Sequence, residues 1–234
     1  MKYITLFEQQ TAFDNAKSTL DKPNMSLVTE TGNVYSLAVG GGVTYEYVDL
    51  GLSVKWAKCN VGAEKETDAG LYFTWGETTG YTASQVGTDK QFSWSDYKYG
   101  NSSDLTKYNQ SDGKTVLEST DDAASQIMGG DWRMPTKAEF QELIDKTTKE
   151  WTQVNGVNGY KFTSKINGNS IFIPAAGSCG DGEVYDVGDY GSVWSSSLGT
   201  SSPSYAWYLD FGSSLCSMNS YYRYNGRSVR GVRK

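Results

Sequence analysis

The sequence predicts an α+β fold with two helices, several short antiparallel strands, much loop and a small N-terminal appendage. Two segments in the middle of the chain have helical spacing, whereas the later part contains short runs that alternate between apolar and polar residues. The 26 glycines and 4 prolines indicate many turns. The pattern of the sequence changes after residue 44, where strand signals around glycine turns begin. We therefore predict an attachment or oligomerisation segment at residues 1–44 and one main domain at residues 45–234.

The N-terminal segment contains one helical and one hairpin pattern. Apolar residues between Phe7 and Leu20 have loosely helical spacing, which Asp21-Lys22-Pro23-Asn24 interrupts. Two short strand-like runs then flank Thr31-Gly32-Asn33, and Gly40-Gly41-Gly42 reads as a linker. A small appendage of this kind attaches a domain to an assembly or helps it to oligomerise. The equal alternative is a strand and a helix packed on the main domain.

The first half of the main domain alternates between strand signals and loop. YEYVDLGLSVKWAKCNVG carries strand signals around glycine turns, and LYFTWGE (71–77) predicts a compact aromatic strand. Residues 78–115 are polar and rich in Gly, Ser, Asp and Tyr, so they predict a long surface loop.

Two helices are predicted next. DDAASQIM (121–128) is short, and the acidic residues at its start suit the positive end of the helix dipole. In GGDWRMPTKAEFQELIDK (129–146), Thr136 and Glu139 fit a capping box. The apolar stripe that follows the box consists of Phe140, Leu143 and Ile144.

The remainder of the chain predicts strands. Asn-Gly pairs at 155–156, 158–159 and 167–168 punctuate it, and YKFTSKINGNSIFIP predicts a hairpin around the last pair. Residues 175–191 predict a loop, and VWSSSL, AWYLDF and SVRGVRK are the further strands.

Strand periodicity in AWYLDF assigns side chains to two faces. Trp207, Leu209 and Phe211 fall on one face, which we predict to be core, whereas Tyr208 and Asp210 fall on the other, which we predict to point outward with the flanking Ser- and Tyr-rich turns. Most of the tryptophans also favour core positions, namely Trp56, Trp75, Trp132, Trp194 and Trp207.

Composition excludes several function classes. A net charge of −6 argues against nucleic acid as a partner, and the terminal basic group reads as a solvated strand end, comprising Arg223, Arg227, Arg230, Arg233 and Lys234. No apolar run approaches the roughly 20 residues of a membrane span. The start, MKYITLFEQQ, has one lysine and too short an apolar run for a signal peptide. The chain has no histidine, which removes the commonest general base and metal ligand.

Metal and thiol sites have weak signals, and we expect no metal and no cofactor. The acidic loop residues Asp181, Glu183, Asp186 and Asp189 raise the question of calcium, but their spacing is not that of an EF-hand and a solvated glycine-rich loop explains them better. Three cysteines at wide spacing form neither a zinc nor a disulfide pattern, and no histidine is present to activate a thiol.

The segment 189–228 has an unusually narrow alphabet. Its 40 positions include 12 serines and 6 tyrosines, but no Lys or Glu. Binding loops of antibodies have this bias because Tyr offers a large contact with few torsions to freeze, while Ser, Gly and Asn adapt their hydrogen bonds. A Tyr-rich sheet that faces solvent and binds nothing is the alternative.

These segments resemble a known family. EYVDLGLSVKWAKCNVGA, LYFTWGE, GGDWRMPTKAEFQELI, NGNSIFIPAAG and VWSSSL…AWYLDF…MNSYYRYNGRSVRGVRK are similar to the variable proteins of diversity-generating retroelements of the Bacteroides type. They also resemble the major paralogous domains of Bacteroidetes and Fibrobacter. The resemblance covers residues 45 to 234 and implies a C-type lectin fold related to formylglycine-generating enzymes. The segment before residue 44 resembles, more weakly, attachment segments of Bacteroides phage structural proteins.

The resemblance implies a set of ligand-binding positions that vary. In that family an error-prone reverse transcriptase randomises template adenines, so that Asn codons become codons for Tyr, Ser, Asp and other residues, but never for Lys, Glu or stop. The framework positions Trp194, Trp207, Leu209, Phe211 and Met218 are then constant. Aligned with such a template, the variable positions are Asp189, Tyr190, Ser192, Ser201, Ser202, Ser204, Tyr205, Tyr208, Asp210, Ser214, Leu215, Ser217, Asn219, Ser220, Tyr221, Tyr222 and Tyr224.

The function that this resemblance implies is binding without catalysis. The ligand would be a bacterial surface protein or glycan receptor, and the N-terminal segment would dock the domain to a phage tail or a cell-surface assembly, where attachment favours a homo-trimer by analogy. The alternatives are a glycan-binding lectin-like module and an enzyme of the formylglycine-generating type. The chain lacks the Glu-Pro-Asn and Trp-Asn-Asp motifs of calcium-dependent lectins, and Cys179 and Cys216 lie far apart in sequence.

Overall fold

A computed structural model of the chain describes residues 27–30, 34–37, 45–199 and 201–234. The chain divides into two compact units, Met1–Thr44 and Tyr45–Lys234. In the first unit, β1 (Leu27–Glu30) pairs antiparallel with β2 (Val34–Leu37), so the two strand-like runs form the expected hairpin. The predicted N-terminal helix, the turn at 31–33 and the glycine linker lie outside the described residues.

The second unit combines two helices with small antiparallel sheets. The helices are α1 (Ala123–Met128) and α2 (Lys137–Lys146). The strands are β3 (Tyr47–Val48), β4 (Lys55–Asn60), β5 (Gly100–Asn101), β6 (Asp104–Leu105), β7 (Thr147–Val154), β8 (Val157–Ser164), β9 (Ser170–Pro174), β10 (Ser178–Gly180), β11 (Glu183–Tyr185), β12 (Tyr190–Leu198), β13 (Tyr205–Gly212), β14 (Leu215–Tyr222) and β15 (Arg230–Arg233). In the described part of the unit these strands form three sheets of three strands each, in the orders β15-β4-β3, β7-β8-β9 and β12-β13-β14, and two hairpins, β5-β6 and β10-β11. The mixed α+β class predicted from the sequence is therefore observed.

Both helices begin where their capping residues predict. The Asp122 side chain caps α1 by accepting a hydrogen bond from the Ser125 amide at 2.9 Å. At α2, the Thr136 hydroxyl accepts from the Glu139 amide at 3.2 Å, and Glu139 accepts from the Thr136 amide at 2.8 Å. This reciprocal pair is the predicted capping box. The apolar stripe of α2 is buried as predicted, at Phe140, Leu143 and Ile144.

The sheet β7-β8-β9 follows from its Asn-Gly turns. Asn155 and Gly156 both have positive φ, at 49° and 83°, which suits the two-residue turn between β7 and β8. The predicted hairpin around Asn167-Gly168 joins β8 to β9. Asn158 and Gly159 lie within β8 and form no turn, because strand pairing on both sides fixes them there.

The sheet β12-β13-β14 separates two hydrophobic clusters. One cluster, here called the α2 core, contains the apolar face of α2 together with Trp56, Phe162, Leu209 and Phe211. The other, here called the loop core, is built from Trp75, Tyr97, Tyr99, Tyr108, Trp194 and Tyr208 with their neighbours. Because each face of the sheet meets a different core, both faces are at least partly covered.

Three segments of the second unit differ from the regular structure or the loops predicted for them. LYFTWGE is not a regular strand: only the isolated bridges Tyr72–Tyr81 and Phe73–Arg227 form there. Residues 78–115 have little regular structure, as expected, apart from the short hairpin β5-β6, but several of their aromatic residues are interior, with Tyr97 and Tyr99 6% exposed and Tyr108 fully buried. The loop predicted at 175–191 contains the hairpin β10-β11. Irregular backbone needs internal partners, and buried tyrosine hydroxyls supply them here, since Tyr97 and Tyr99 donate to the carbonyls of Trp75 and Gly76.

Three of the five terminal basic residues are not at a solvated strand end, whereas Arg233 is half-buried and Lys234 is exposed. Arg223 and Arg230 are fully buried, and Arg227 is only 5% exposed. Arg230 donates to Asn60 Oδ1 and to the carbonyl oxygens of Ala57, Lys58 and Phe172, which links β15 to β4 and β9. A guanidinium has five N–H donors in a fixed fork, so it satisfies several buried carbonyl groups at once. Charge alone therefore misplaced these residues in the sequence analysis.

Candidate functional site

The three-stranded sheet β12-β13-β14 carries most of the predicted variable positions. The register places Val193, Leu209 and Met218 side by side on the face toward the α2 core. The opposite face carries Ser192 and Asp210 in one row and Trp194 and Tyr208 in the next, with Ser217 and Asn219 completing those rows on β14. Alternation in β13 thus follows the prediction for Leu209 and Phe211 on one face and Asp210 on the other.

Strand β14 was not predicted as a strand, although it completes this sheet. Its polar sequence LCSMNSYY has few strand-forming residues, which hides the alternation. In the structure Ser217, Asn219 and Tyr221 are exposed, whereas the intervening positions are half-buried. The residues expected to lie in Ser- and Tyr-rich turns are therefore held on a regular strand.

Four tyrosines at predicted variable positions form one cluster, here called the tyrosine cluster, consisting of Tyr205, Tyr221, Tyr222 and Tyr224. The Tyr222 ring centre lies 4.8 Å from that of Tyr205, 5.2 Å from that of Tyr221 and 5.5 Å from that of Tyr224. Trp94 closes the cluster, with its ring centre 4.9 Å from Tyr224. Tyr221 is 44% exposed, and the other three are half-buried. The cluster therefore presents aromatic edges and hydroxyl groups on a packed base.

Arg223 fixes the strand end beneath the tyrosine cluster. Its Nε donates to the Tyr97 hydroxyl at 2.8 Å, and its two Nη groups donate to the carbonyl oxygens of Tyr108, Pro203 and Lys107 at 2.9–3.0 Å. The guanidinium also lies 5.0 Å from the Trp75 ring centre. A single buried side chain therefore joins the end of β14 to the loops that surround it.

A polar cavity of about 240 Å³ lies beside the tyrosine cluster and is here called the Arg227 pocket. Its lining combines residues at predicted variable positions with residues outside them. The former are Tyr190, Ser192, Tyr208, Asp210 and Tyr221, and the latter are Gly177, Ser178, Asp186 and Arg227. Tyr221 therefore belongs to both the pocket and the tyrosine cluster.

Three predicted variable residues are buried, which corrects the expectation that they point outward. Tyr208 is 6% exposed, and its ring packs on Trp194 with the centres 5.8 Å apart. Ser192 and Ser204 are also 6% exposed. Tyr208 is buried because its ring is part of the loop core, and the Ser204 hydroxyl donates to the Ser102 carbonyl oxygen at 3.3 Å. Tyr208 and Ser192 nevertheless reach the Arg227 pocket, where they form part of the wall.

The remaining predicted positions range from exposed to half-buried. The exposed ones are Asp189, Tyr190, Ser201, Ser214, Ser217, Asn219 and Tyr221. The half-buried ones are Ser202, Tyr205, Asp210, Leu215, Ser220, Tyr222 and Tyr224. Ser214 and Leu215 lie at the β13-β14 turn, which is the end of the hairpin away from Tyr205 and Tyr222. The structure therefore brings together the tyrosine cluster and the pocket wall, but not all 17 positions.

Sequence reasoning missed Trp94, Arg223 and Arg227 as parts of the site. Trp94 lies in a segment that was interpreted as a surface loop, and the arginines were grouped by charge. Trp207, predicted to be core, is half-buried, and the Lys137 ammonium lies 3.4 Å from its ring centre. One sequence feature could have indicated that the two arginines belong to the site: Arg223 and Arg227 both lie inside the Ser- and Tyr-rich segment 189–228.

In the described part of the chain, the cysteines are free thiols and the acidic residues form no metal-binding cluster. Burial raises the pKa of Cys179 to about 12 and that of Cys216 to about 11, so both thiols are protonated at neutral pH. Over the described part of the chain, no three His, Cys, Asp or Glu side chains come together as a metal-binding group. In the same part, no helix has the length and apolarity needed to cross a membrane.

Comparison with known proteins gives one family. The family model described as the Lcl C-terminal domain matches residues 47–233. No curated protein and no solved structure gives a significant match. The matched range covers nearly the whole second unit, including the sheet β12-β13-β14, the tyrosine cluster and the Arg227 pocket.

Proposed function

Because the chain belongs to the family of Lcl C-terminal domains, we propose that it is a non-enzymatic ligand-binding protein whose C-terminal sheet is diversified by a retroelement. We include in this proposal the C-type lectin fold, with the framework held by the two cores. The family match is consistent with a variable protein of this type. The proposal is thus a statement about which side chains bind and which hold the scaffold.

The observation that carries the proposal is the tyrosine cluster on a rigid base. Its four tyrosines offer large contact area with few free torsions, and their packing against one another and Trp94 restricts those torsions before a ligand arrives. Ser217 and Asn219 beside them are exposed and small. Aromatic anchors surrounded by small polar groups are typical of protein-binding surfaces.

The non-enzymatic part of the proposal is supported by the chemistry of the chain. It has no histidine, and its buried thiols Cys179 and Cys216 have raised pKa values. An oxidase of the formylglycine-generating type needs reactive thiols, so these cysteines give it no support. For biological context we propose attachment through residues 1–44 to a phage tail or bacterial surface assembly, with the variable sheet toward a receptor on a bacterial cell.

The DNA around the coding sequence tests the proposal. We expect a neighbouring reverse transcriptase gene and a near-copy of the 3′ end whose differences fall on adenines. The differing codons should be those of the 17 predicted variable positions, whereas codons of Trp194, Leu209 and Phe211 should be identical in both copies. A locus without such a copy contradicts diversification. A glycan array with and without calcium separates the lectin alternative, since calcium-dependent sugar binding that survives Tyr221→Ser and Tyr222→Ser would replace the proposal.

A further inference from the structure

Arg227 is a buried cation without a direct partner. Within the described ranges its side chain forms neither an ion pair nor a hydrogen bond, and Nε is completely enclosed without an acceptor. Its guanidinium instead contacts aromatic rings, 3.7 Å from the ring centre of Tyr208 and 4.8 Å from that of Trp194. An unpaired buried donor destabilises the folded state, and more so when it is charged. Cation–π contact offsets only part of this destabilisation.

Among the three buried arginines of the described residues, the lack of hydrogen-bond acceptors is particular to Arg227. Arg223 and Arg230 each donate to four oxygen atoms of the surrounding chain. Arg227 lines the polar cavity, so its unused donors have a space in front of them that a ligand can enter. An unpartnered guanidinium at a cavity wall indicates a binding site for a group that accepts hydrogen bonds.

Asp210 and Asp186 line the same pocket, and their carboxylates require a ligand group that donates hydrogen bonds. Asp210 Oδ2 accepts from Asn219 Nδ2 at 3.2 Å, which leaves further acceptor capacity on that carboxylate. A ligand carboxylate would suit Arg227 but would meet these two like charges. A ligand ammonium would suit the carboxylates but would leave the guanidinium unpaired. A neutral group that both accepts and donates satisfies both walls.

The size and shape of the pocket restrict this group further. At about 240 Å³ the cavity lies below the roughly 300–1,000 Å³ of pockets for drug-sized ligands. It is suited to one small group at the end of a larger ligand. Three of its lining side chains are tyrosine rings, Tyr190, Tyr208 and Tyr221, and flat walls favour a flat group.

We propose that the Arg227 pocket binds a primary carboxamide, such as an Asn or Gln side chain of a protein ligand, with its oxygen on Arg227 and its NH2 on Asp210. Arg227 lies outside the predicted variable positions, whereas Asp210 lies at one of them. The donor is thus constant, and the residue at 210 sets the preferred group. This inference deepens the proposed function, on which its biological ligand rests, but the pocket itself can be tested without a receptor.

The test uses three compounds of matched shape, propionamide, propionate and propylamine, with methyl glucoside as a sugar probe. Each is titrated into the full chain while NMR follows the Arg227 side-chain N–H resonance. We expect saturable shifts with propionamide, with Kd on the order of 1–10 mM for so small a ligand, and at least ten-fold weaker binding of propionate and propylamine.

Three variants give the result its specificity. Asp210→Asn removes the carboxylate proposed to accept from the ligand NH2 and leaves only Asp186 as a like charge, so it should shift the preference from propionamide toward propionate by at least ten-fold. Asp131→Asn makes the same charge change at a largely exposed residue outside the pocket and outside the predicted variable positions, and should behave as the unchanged chain. Arg227→Met should abolish binding of all probes, as seen at the Trp194 indole resonance, while the melting temperature is retained.

Four results would overturn the inference. They are tighter binding of propionate or propylamine than of propionamide to the unchanged chain, saturable binding of methyl glucoside alone, no saturable shift with any probe, or propionamide binding that survives Arg227→Met. None of these concerns the tyrosine cluster, so they leave the proposed function to its own genetic test.

Discussion

At the scale of single residues, the buried arginines decide how the second unit is held together. Arg223 donates to carbonyl groups of loop segments and Arg230 to carbonyl groups of β4 and β9, whereas Arg227 has only aromatic contacts among the described residues. Burying a charge is costly unless hydrogen bonds replace those to water. Burial lowers the pKa of both Arg227 and Arg230, but Arg230 has four oxygen acceptors to compensate. The three residues should therefore respond differently to removal of their charge.

Matched substitutions at Arg223 and Arg227 test this difference. Arg223→Met leaves the carbonyl oxygens of Lys107, Tyr108 and Pro203 without their donor and should lower the free energy of unfolding by about 3 kcal/mol or more. Arg227→Met removes an unpaired charge and should change it by no more than about 1 kcal/mol. Urea unfolding at neutral pH measures both. Equal losses in the two variants would mean that hydrogen-bond partners do not determine the role of these side chains.

At the scale of elements, the prediction succeeded where a local signal is strong. The capping box of α2, the Asn-Gly turn between β8 and β9 and the alternation of Leu209 and Phe211 are all recognisable within a few residues. Strand β14 escaped because Ser and Asn dominate it, and because its pairing to β13 is a property of the sheet. The burial of Tyr208 could not be predicted from its own strand, since the loop core that covers it includes Trp75, Tyr97 and Tyr99, which are more than a hundred positions earlier.

Neighbouring positions on β13 and β14 should differ sharply in their tolerance of change. Leu209→Ala leaves a cavity in the α2 core and should cost about 2–5 kcal/mol. Tyr221→Ser and Ser217→Ala alter exposed side chains and should each stay within about 0.5 kcal/mol. Thermal unfolding of the three single variants gives the comparison. A large loss for Tyr221→Ser would make this tyrosine a structural residue and would remove it from the binding surface.

At the scale of the whole second unit, the loops are joined by a charged group near Asp121. Its carboxylate accepts from the Tyr108 hydroxyl at 2.7 Å and pairs with Lys107 and, at 3.4 Å, with Lys98. Burial opposes ionisation of Asp121, but these hydrogen bonds prevail and lower its pKa from 3.8 to about 2. The same tyrosine belongs to the loop core, and its carbonyl oxygen accepts a hydrogen bond from Arg223, so the charged group and the sheet are linked.

Acid should therefore weaken the second unit through Asp121. Because the pKa is lower in the folded state, the stabilisation is present above about pH 5 and is lost as the pH falls toward 2. We expect Asp121→Asn to reduce the free energy of unfolding by about 2 kcal/mol at pH 6, and the gap to the unchanged chain to close near pH 2. Asp131→Asn, at a largely exposed carboxylate, is the control. A gap that is constant with pH would exclude this role for ionisation.

The sheet between two cores also has an evolutionary consequence. Under the proposed diversification, mutation reaches the codons of Ser192, Ser204 and Tyr208 as readily as those of their exposed neighbours. Changes at these three buried residues, however, destabilise the folded state more than changes at exposed positions. Surviving sister sequences should therefore show purifying selection at these three codons and a broad residue spectrum at Ser217, Asn219 and Tyr221. The requirement to fold thus removes part of the sequence variants that the diversification produces.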